Sequence, residues 1–433
     1  MDPTTIAIAV MVLLFVLLAA GMPIGFAMAG AGFLGSLLLI DLNAALSLLG
    51  QTAYETPITY DLSVVPLFVL MGYFATNSGL SEGLYRACYT WLGHRRGGLA
   101  LATIGGCGAF AAICGSSLAT AATMSQVALP EMQRYKYDDR LATGSIAAGG
   151  TIGILIPPSV ILVLYGILTE TSISELFLAG IIPGILTVIF FMITVSILTH
   201  FYPKLGPRGE AMSAMDKIRA LKDVWGTVLL FTLVIGGIYL GVFSPTEAAG
   251  IGAMGALGLA LLARRMTVKV FFRCLLDTVK TSAMIFTILI GAIMFNNFLV
   301  LSAVPDALGE WITTLPLSPH GILIVILLIY LVLGCALDSL AMILLTIPIF
   351  FPVVQNLQFD AVWFGIIVVM VVELGLITPP IGMNVFIIKG MVPNVPLSAI
   401  YVGVLPFVVA QILLIVLLMA LPTLALWLPA TMG

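Results

Sequence analysis

The chain has 433 residues, of which 61% are hydrophobic and 9% are charged. A soluble globular domain carries roughly 25% charged residues, so this composition excludes that class. The 17 basic and 20 acidic side chains give a net charge of −3, which provides no basic field for nucleic acid. Apolar runs recur along the whole length, each long enough for the ~20 residues that a membrane helix needs. The sequence therefore predicts an all-α polytopic protein that lies in a lipid bilayer and binds no nucleic acid.

The cysteine and histidine residues form neither a disulfide framework nor a metal motif. The 5 cysteines are odd in number and lie in apolar stretches, which does not fit a disulfide scaffold. His94, His200 and His320 lie in or beside polar connections and share no metal-ligand spacing with the cysteines. No nucleophile–base pair and no phosphate-binding loop stands out either. We therefore expect that the protein is not an enzyme.

The basic residues predict how the chain is oriented in the membrane. All but one of the 17 Lys and Arg residues fall in four groups, at 86–96, 134–140, 204–222 and 264–280. Because cytoplasmic loops collect Lys and Arg, we place all four groups inside. The connections that hold only acids are placed outside, with Asp41, Glu55, Asp61, Glu170, Glu175, Asp306, Glu310 and Asp360. Lys389, the remaining basic residue, then falls inside without being used to set the path.

One path through the membrane satisfies these assignments. Its spans lie at about 4–20, 24–40, 63–80, 141–169, 176–199, 226–243, 246–263, 281–300, 361–389 and 399–427. Segment 41–62 lies along the outer surface, and the basic segment 264–280 lies along the inner surface. The stretches 99–132 and 321–354 each return to the side from which they leave. Each is therefore either two short spans or a re-entrant hairpin, and we count both as re-entrant.

The two halves of the chain repeat the same Gly, Pro and Ser positions. Pairs separated by 222 residues are Pro23 and Pro245, Ser117 and Ser339, Pro130 and Pro352, Gly153 and Gly375, and Pro157-Pro158 and Pro379-Pro380. One offset that holds across the chain indicates a repeat. Each half crosses the membrane an odd number of times, so the halves 1–225 and 226–433 are predicted to be inverted-topology repeats. Such repeats are typical of secondary transporters, whose sites lie between them, although channels have them too.

Four segments are poor continuous helices and mark the predicted site. Two are the hairpin tips at 114–117 and 334–339, and two are breaks around the Pro-Pro pairs, at 149–159 and 373–384. Irregular backbone at membrane depth is tolerated only where it is buried in protein or lines a cavity. Freed carbonyls with Ser and Thr hydroxyls suit Na⁺, and half-helix N-termini favour a carboxylate. The candidate substrate-binding residues are Ser116, Thr151, Ser159, Asp338, Ser339 and Asn384.

Two acids are predicted to lie deepest in the membrane, Asp338 and Glu373. A buried ionisable group there is costly, and its default interpretation is an ion ligand or a proton relay. For Glu373 a structural hydrogen bond to interrupted backbone is an equal alternative. No Lys or Arg falls in the predicted midplane, which favours ion-coupled symport of an anion over a fixed arginine clamp. Both Na⁺ and H⁺ coupling are open at this stage.

At these motifs the sequence resembles the large membrane subunit of tripartite ATP-independent periplasmic (TRAP) transporters, the DctM-type permease. The resemblance covers essentially the whole chain and is most specific at 118–123, 149–159 and 373–384. It implies Na⁺-driven uptake of organic acids, commonly C4-dicarboxylates or sialic acids, across the bacterial inner membrane by an elevator mechanism. It also implies two partners, a periplasmic substrate-binding protein and a small four-helix membrane subunit, which we expect to be a separate chain.

The resemblance further implies two Na⁺ sites, built mainly from backbone carbonyls. The first site would use Cys114, Ser117, Gly153, Ile156 and Pro158, and the second would use Gly334, Gly375, Thr378 and Ile381. Cys114 departs from the family pattern, which often has Ser at this position. Because a thiol is a poor Na⁺ ligand, that contact requires the carbonyl of Cys114.

Three other functions fit parts of the sequence. The first is a stand-alone Na⁺- or H⁺-coupled dicarboxylate or anion carrier that needs no binding protein. The second is a channel, which saturable, gradient-driven accumulation would argue against. The third, a membrane enzyme, has the least support, because the sequence carries no catalytic motif.

Overall fold

Helices follow the apolar runs of the sequence, and the connections between them are short. The computed structural model describes residues 3–304, 307 and 316–432, and within these ranges the chain contains no β-strand. The helices are α1 (Pro3–Ala19), α2 (Ile24–Leu39), α3 (Leu42–Ile58), α4 (Val64–Asn77), α5 (Leu80–Leu92), α6 (Gly98–Cys114), α7 (Ser117–Arg134), α8 (Asp139–Leu155), α9 (Val160–Thr169), α10 (Ile173–Phe201), α11 (Ala214–Tyr239), α12 (Pro245–Leu262), α13 (Val268–Leu301), α14 (Pro319–Gly334), α15 (Ser339–Asn356), α16 (Ala361–Gly375), α17 (Met383–Met391), α18 (Leu397–Ala420) and α19 (Thr423–Leu426). Asp306 and Glu310, which we assign to the outer face, lie outside the described residues.

Several acids that mark the connections also begin the helices that follow them. The side chain of Asp41 accepts backbone N–H groups at the start of α3, Asp138 does so for α8, and Asp360 for α16. Ser244 and Glu247 form a reciprocal capping box at the start of α12. Such caps satisfy N–H groups that have no partner within the helix. The polar connections therefore fix where the helices begin as well as where the chain leaves the bilayer.

Six of the described helices are long and apolar enough to cross a membrane, or up to 8 if each bent pair forms one span. The bent pairs join α3 to α4 through a 3₁₀ turn, at 56°, and α8 to α9, at 43°. Shorter apolar helices, among them α1, α2, α6, α14 and α16, fall below that length. The chain is thus a multi-pass membrane protein, while the expected total of about ten spans stays a prediction.

The structure differs from the sequence-based path at two places. Helix α5 lies where only a basic connection is expected, because its polar, amphipathic sequence does not stand out as an apolar run. Glu82 on this helix accepts two hydrogen bonds from Arg265, at 2.8 and 3.1 Å. The inner surface segment 264–280 and the span 281–300 are not separate, since one 34-residue helix, α13, covers both from Val268. No Pro or Gly interrupts that helix before Gly291.

The helices pack into two groups that meet at the hairpin tips. In the first group α2 packs against α13 and α1, and α4 packs against α12 and α13. In the second group α8 packs against α6, α7, α10 and α18, and α16 packs against α14. Helices α4 and α13 touch the hairpins, while α5 contacts both α6 and α11. The first tip and the first break are therefore largely buried in protein, whereas Pro379, Pro380 and Ile381 of the second break are exposed at the surface of the chain.

Equivalent positions in the two halves carry equivalent local structure. The hairpins α6–α7 and α14–α15 are each followed by a broken helix, α8–α9 and α16–α17. The peptide bonds Pro157-Pro158 and Pro379-Pro380 are both cis. These matches agree with the offset of 222 residues in the sequence. The assignment of 1–225 and 226–433 as inverted repeats stays a prediction.

Candidate functional site

The first hairpin tip packs directly against the first prolyl break. Helix α6 ends at Cys114, Gly115 is left-handed with φ 64°, and α7 begins at Ser117. A Cβ atom on Gly115 would lie 2.6 Å from the carbonyl oxygen of Pro158. Glycine is therefore favoured here both by the backbone conformation and by the close approach. The tip and the break that the sequence pairs are neighbours in the structure.

The second tip packs against the second break in the same way. Helix α14 ends at Gly334, α15 begins at Ser339, and α16 ends at Gly375. A Cβ atom on Gly375 would lie 2.6 Å from the carbonyl carbon of Gly334. The N–H of Gly382 donates to the carbonyl oxygen of Cys335 at 3.2 Å. Backbone contacts without intervening side chains thus hold this tip on the break.

The carboxylate of Glu373 joins the two hairpin tips. Glu373 lies on α16 just before the break and is only 1% exposed. The Ser117 hydroxyl donates to its Oε2 at 2.5 Å, and the Ser339 hydroxyl donates to its Oε1 at 3.4 Å. Because each serine is the first residue of its helix, the N-terminal ends of α7 and α15 both lie beside this carboxylate. The positive ends of two helix dipoles favour a negative charge at this point.

A cavity of about 210 Å³ lies between the two hairpin tips and helices α4 and α13. Its polar lining residues are Tyr73, Thr76, Ser116, Ser117, Thr281, Asp338 and Ser339. Within the ranges that the structure describes, no Lys, Arg or His lines it. The backbone N–H groups of Ser117 and Leu118 have no hydrogen-bond acceptor among the described residues. An anion in this cavity would therefore be bound by hydroxyls and helix-end N–H groups instead of by cationic side chains.

Three of the candidate substrate residues line this cavity, namely Ser116, Asp338 and Ser339. Ser116 caps α7, its Oγ accepting the N–H of Ala119 at 3.3 Å. Asp338 caps α15, its Oδ1 accepting two backbone N–H groups at 3.0 Å each. The Asp338 carboxylate thus has a structural role at the tip in addition to its place in the lining.

The other three candidates lie outside the lining and have local partners. The Thr151 hydroxyl donates to a carbonyl of its own helix at 2.7 Å, and Ser159 caps α9. The side-chain amide of Asn384 donates to the carbonyl oxygen of Ala147 on α8 at 3.3 Å. These side chains hold the broken helices in place, and contact with a substrate would require a different arrangement of the tips. Their role in substrate binding stays a prediction.

The residues implied for the first Na⁺ site surround the first tip-and-break contact. They are Cys114, Ser117, Gly153, Ile156 and Pro158. A Cβ atom on Gly153 would lie 2.7 Å from the carbonyl oxygen of Ser116, so the tip backbone rests on α8. The carbonyl of Cys114 instead approaches Gly72 of α4, 2.9 Å from where a Cβ atom would lie. The Ser117 hydroxyl is engaged by Glu373.

The residues implied for the second Na⁺ site lie together at the second break. Gly334 and Gly375 are in backbone contact, as described above, and Thr378 follows one turn later. The Thr378 hydroxyl donates to the carbonyl of Leu374 at 2.6 Å, which leaves its oxygen able to accept or coordinate. The carbonyl of Ile381 already accepts the Tyr401 hydroxyl at 2.6 Å. Oxygen atoms therefore cluster here, although one of them has a partner on α18.

Two buried polar atoms at the breaks have no hydrogen-bond partner among the described residues, and one of them, the Thr120 hydroxyl, was missed by sequence reasoning. The Thr120 hydroxyl is fully buried and has no partner within the described part of the chain. It lies 2.7 Å from where a Cβ atom on Gly153 would be. Asn384 Oδ1 is likewise buried without a partner among the described residues. Thr120 lies three residues after Ser117, on the same side of α7, and that spacing is the signal that would have identified it.

The wall of the cavity opposite the tips was also missed. The hydroxyls of Tyr73 on α4 and Thr281 on α13 are 2.9 Å apart and link the two helices. Thr281 lies between Lys280 and Ser282, and Tyr73 is followed by Thr76 and Asn77, so neither hydroxyl stands out from its neighbours in the sequence. Only the packing of α4 against α13 brings the two together.

Comparison with known families identifies the kind of protein that contains this site. A sequence model of the family described as "Tripartite ATP-independent periplasmic transporter, DctM component" matches residues 11–424. The chain belongs to this family. It is therefore the large permease subunit of a TRAP transporter. The expectation that it is not an enzyme is confirmed, because the family and the relatives that resemble this chain are transporter permeases.

Named TRAP permeases are similar to this chain along most of its length. The C4-dicarboxylate TRAP transporter large permease protein DctM of Pseudomonas aeruginosa is 36% identical over 382 residues, covering 88% of each chain. The sialic acid TRAP transporter large permease protein SiaM of Vibrio cholerae is 32% identical over 418 residues, covering 95% of this chain and 96% of SiaM. Among solved structures, the Alcanivorax borkumensis YdaH transporter superposes with a TM-score of 0.68 at 14% identity, covering 90% of each chain. That likeness concerns the fold alone.

Proposed function

We propose that this TRAP permease carries a small organic carboxylate into the bacterial cytoplasm together with Na⁺. The observation that carries the proposal is the convergence of both hairpin tips on Glu373 beside a cavity without basic side chains. Two helix N-termini make the site favourable for an anion, and the buried carboxylate makes it favourable for cations. Co-transport of an anion with cations satisfies both preferences at once.

The size of the cavity supports a compact substrate. Its volume of about 210 Å³ is below the roughly 300–1,000 Å³ of typical ligand pockets. The two named relatives above are a C4-dicarboxylate permease and a sialic acid permease. A four-carbon dicarboxylate fits the smaller space better than a nine-carbon sugar acid. We therefore propose a C4-dicarboxylate as the first substrate to test.

Two Na⁺ ions are proposed as co-substrates, one at each tip-and-break contact. The unpartnered hydroxyl of Thr120, beside Gly153, supports the first site, because a buried hydroxyl without a partner is costly unless something binds it. The oxygen of Thr378, beside Gly334 and Gly375, supports the second. Glu373 lies between the two contacts, so its carboxylate would attract both ions, and its single negative charge would neutralise one of them.

Movement of one helix group against the other is the proposed transport step. The cavity lies between the tips and the α4–α13 wall, so displacement of the tips along this wall would carry its contents with them. Such an elevator step needs few polar contacts across the boundary, and Tyr73 and Thr281 pair with each other on their own side of it. A small four-helix membrane subunit and a periplasmic binding protein are proposed as partners, following the family to which the chain belongs.

Uptake into cells that produce the full transporter tests this proposal. Labelled succinate and labelled sialic acid would be offered with the binding protein present, in Na⁺ medium and in choline medium at equal ionic strength. We expect saturable succinate accumulation that requires both Na⁺ and the binding protein. Equal uptake in choline driven by a pH gradient would overturn Na⁺ coupling. Undiminished uptake without the binding protein would instead favour the stand-alone carrier, and uptake of sialic acid alone would overturn the substrate assignment.

A further inference from the structure

A basic cavity lies at the cytoplasmic end of α10, away from the transport site. Its volume is about 530 Å³, and its lining residues are His94, Arg95, Arg96, Leu101, Ser196, Thr199, His200 and Arg208. Each ion pair found among the described residues involves other arginines, so the guanidinium groups of Arg95, Arg96 and Arg208 have no carboxylate partner there. Three cationic groups without counter-charges therefore share one cavity.

Hydrogen bonds between distant parts of the backbone hold this cavity in shape. The N–H of Gly97 donates to the carbonyl of Gly206, and the N–H of Gly209 donates to the carbonyl of Gly93, each at 2.9 Å. The Thr199 hydroxyl donates to the carbonyl of Arg96 at 3.3 Å. The α5–α6 turn, the end of α10 and the loop after it are thus tied together. The backbone that carries the arginines is therefore held in place by hydrogen bonds, which would not be so in an isolated loop.

An apolar groove lies along the same part of α10, where its lining residues Ile197 and Leu198 alternate with Ser196, Thr199 and His200 of the basic cavity. It has a volume of about 540 Å³ and is lined by Phe190, Ile193, Thr194, Ile197 and Leu198 of α10 and by Pro406, Val409, Ala410 and Leu413 of α18. Ile193, Ile197 and His200 share one stripe of α10, at spacings of four and three residues. Because α10 rises about 1.5 Å per residue, Ile197 of the groove and His200 of the basic cavity are only about 4.5 Å apart along the helix axis.

We propose that the basic cavity and the apolar groove together bind one anionic phospholipid of the inner leaflet. The lipid phosphate would lie between Arg95, Arg96 and Arg208, and an acyl chain would occupy the groove between α10 and α18. Guanidinium groups match phosphate oxygens with paired N–H donors. Basic pockets between helices on the cytoplasmic side are known to accept anionic lipid headgroups.

The apolar groove favours a lipid over a free phosphate ion as the occupant. A free ion needs only the three arginines, whereas the half-exposed side chains of Ile193, Ile197, Val409 and Leu413 line an apolar groove on the helix that also lines the basic cavity. The basic cavity and the apolar groove together match the two parts of one phospholipid. This inference does not depend on the substrate or on the coupling ion.

Lipid binding can be measured on the full-length protein by native mass spectrometry after exchange into a neutral detergent. The probes are phosphatidylglycerol and phosphatidylcholine with identical acyl chains, and inorganic phosphate in a separate arm. The arginine variant is R95Q/R96Q/R208Q, and the charge-matched control is K217Q/R219Q/K222Q on the same membrane face. A groove variant, I197W/V409W, fills the groove without changing charge.

We expect phosphatidylglycerol to bind the wild type and the control at least about tenfold more tightly than phosphatidylcholine, given the contribution of each basic residue near an anionic headgroup. The arginine variant should lose that preference, and the groove variant should bind both lipids less. Equal binding of the two lipids by the wild type would overturn the proposal. So would an equal loss in the control, or inorganic phosphate that binds as tightly as phosphatidylglycerol, which would identify a free-anion site.

Discussion

The Glu373 carboxylate receives a serine hydroxyl from each hairpin tip, and this contact could not be read from the sequence. A helix-period pattern tells which residues lie at the tips, and the offset of 222 residues pairs Ser117 with Ser339. Neither pattern predicts that both serines bond to the same acid, because that contact depends on the packing of α7 and α15 around α16. The sequence left the role of this acid open between an ion ligand, a proton relay and a structural bond. The structure makes it the connection between the two halves of the site.

Replacement of Glu373 by Gln should weaken the connection between the tips. Charged hydrogen bonds contribute roughly 1.5–3 kcal/mol each, and the amide nitrogen of Gln cannot accept from either serine. We expect at least about a tenfold loss of substrate uptake and a smaller Na⁺-dependent rise in melting temperature. The control is Ser125→Ala, which removes a buried α7 hydroxyl bonded only to its own helix. Wild-type uptake by Glu373→Gln would contradict the prediction.

Thr120→Val separates ion binding from folding. A buried hydroxyl without a partner lowers stability by about 1–3 kcal/mol, so its removal should leave the Na⁺-free protein as stable as the wild type or more so. The melting-temperature increase on exchanging choline for Na⁺ should shrink in the variant. Thr346→Val, at a buried hydroxyl that donates to Met342, should keep the Na⁺ response. An unchanged Na⁺ response in Thr120→Val would remove this hydroxyl from the site.

Helices were predicted well where hydropathy marks them and poorly where it does not. The two hairpins, the two breaks and most apolar helices occur close to their expected positions. Helix α5 was missed because it is amphipathic, and α13 was divided because its first half is basic. Both errors have one cause, since charge indicates depth in the membrane and carries no information about helix continuity. Information about helix continuity comes only from interrupting residues such as Pro and Gly, and the first half of α13 has neither.

The contact of α14 with α16 depends on glycine at position 375. A methyl group there would lie 2.6 Å from the Gly334 backbone, so Gly375→Ala should force the tip away from the break. Overpacking of this kind costs about 1–3 kcal/mol, and we expect a lower melting temperature with a reduced Na⁺ response. Gly258→Ala on α12 meets nothing within 4 Å and should be neutral or slightly stabilising. Equal melting temperatures for the two variants would contradict this reading of the contact.

The ion pair between α5 and Arg265 should make stability depend on pH. The Arg265 guanidinium holds the pKa of Glu82 below its ordinary value of 4.5, chiefly through their hydrogen bonds. A depressed carboxyl pKa means that the stabilisation is present above 4.5 and is lost as the pH falls through the lower folded-state value. Exposed pairs contribute about 0.2–1 kcal/mol, so the effect is small. The melting-temperature difference between wild type and Glu82→Gln should be present at pH 7 and shrink as the pH is lowered below 4.5; a constant difference would exclude the ion pair as its source.

The molecule as a whole consists of two helix groups with the cavity at their boundary. Sequence reasoning anticipated a membrane transporter, in agreement with the family to which the chain belongs, and it anticipated the positions of the tips and breaks that the structure contains. It could not anticipate the α4–α13 wall, because Tyr73 and Thr281 are far apart in sequence and meet only through packing. The proposed transport step requires the tips to move along that wall.

A cross-link between the two groups should therefore stop transport. Thr76 on α4 and Cys114 at the first tip both line the cavity, and the Cys114 carbonyl approaches Gly72, one helical turn before Thr76. In a background where Cys88, Cys107, Cys274 and Cys335 are replaced by serine, Thr76→Cys with the native Cys114 should allow oxidation to a disulfide. Uptake should fall on oxidation and return on reduction. The same background without Thr76→Cys is the control, and full uptake by the cross-linked protein would contradict movement at this boundary.

The uninterrupted helix α13 has a consequence for how the transporter responds to its membrane. Its 34 residues span about 51 Å, well beyond the ~30 Å hydrocarbon core, so part of the helix must protrude or the whole must tilt. Thr281 and Ile285, which line the cavity, belong to the same continuous rod as the basic residues of its first half. A change of bilayer thickness that alters the tilt of the rod must therefore shift the cavity wall as well. We therefore expect the acyl-chain length of the surrounding lipids to affect the rate of transport.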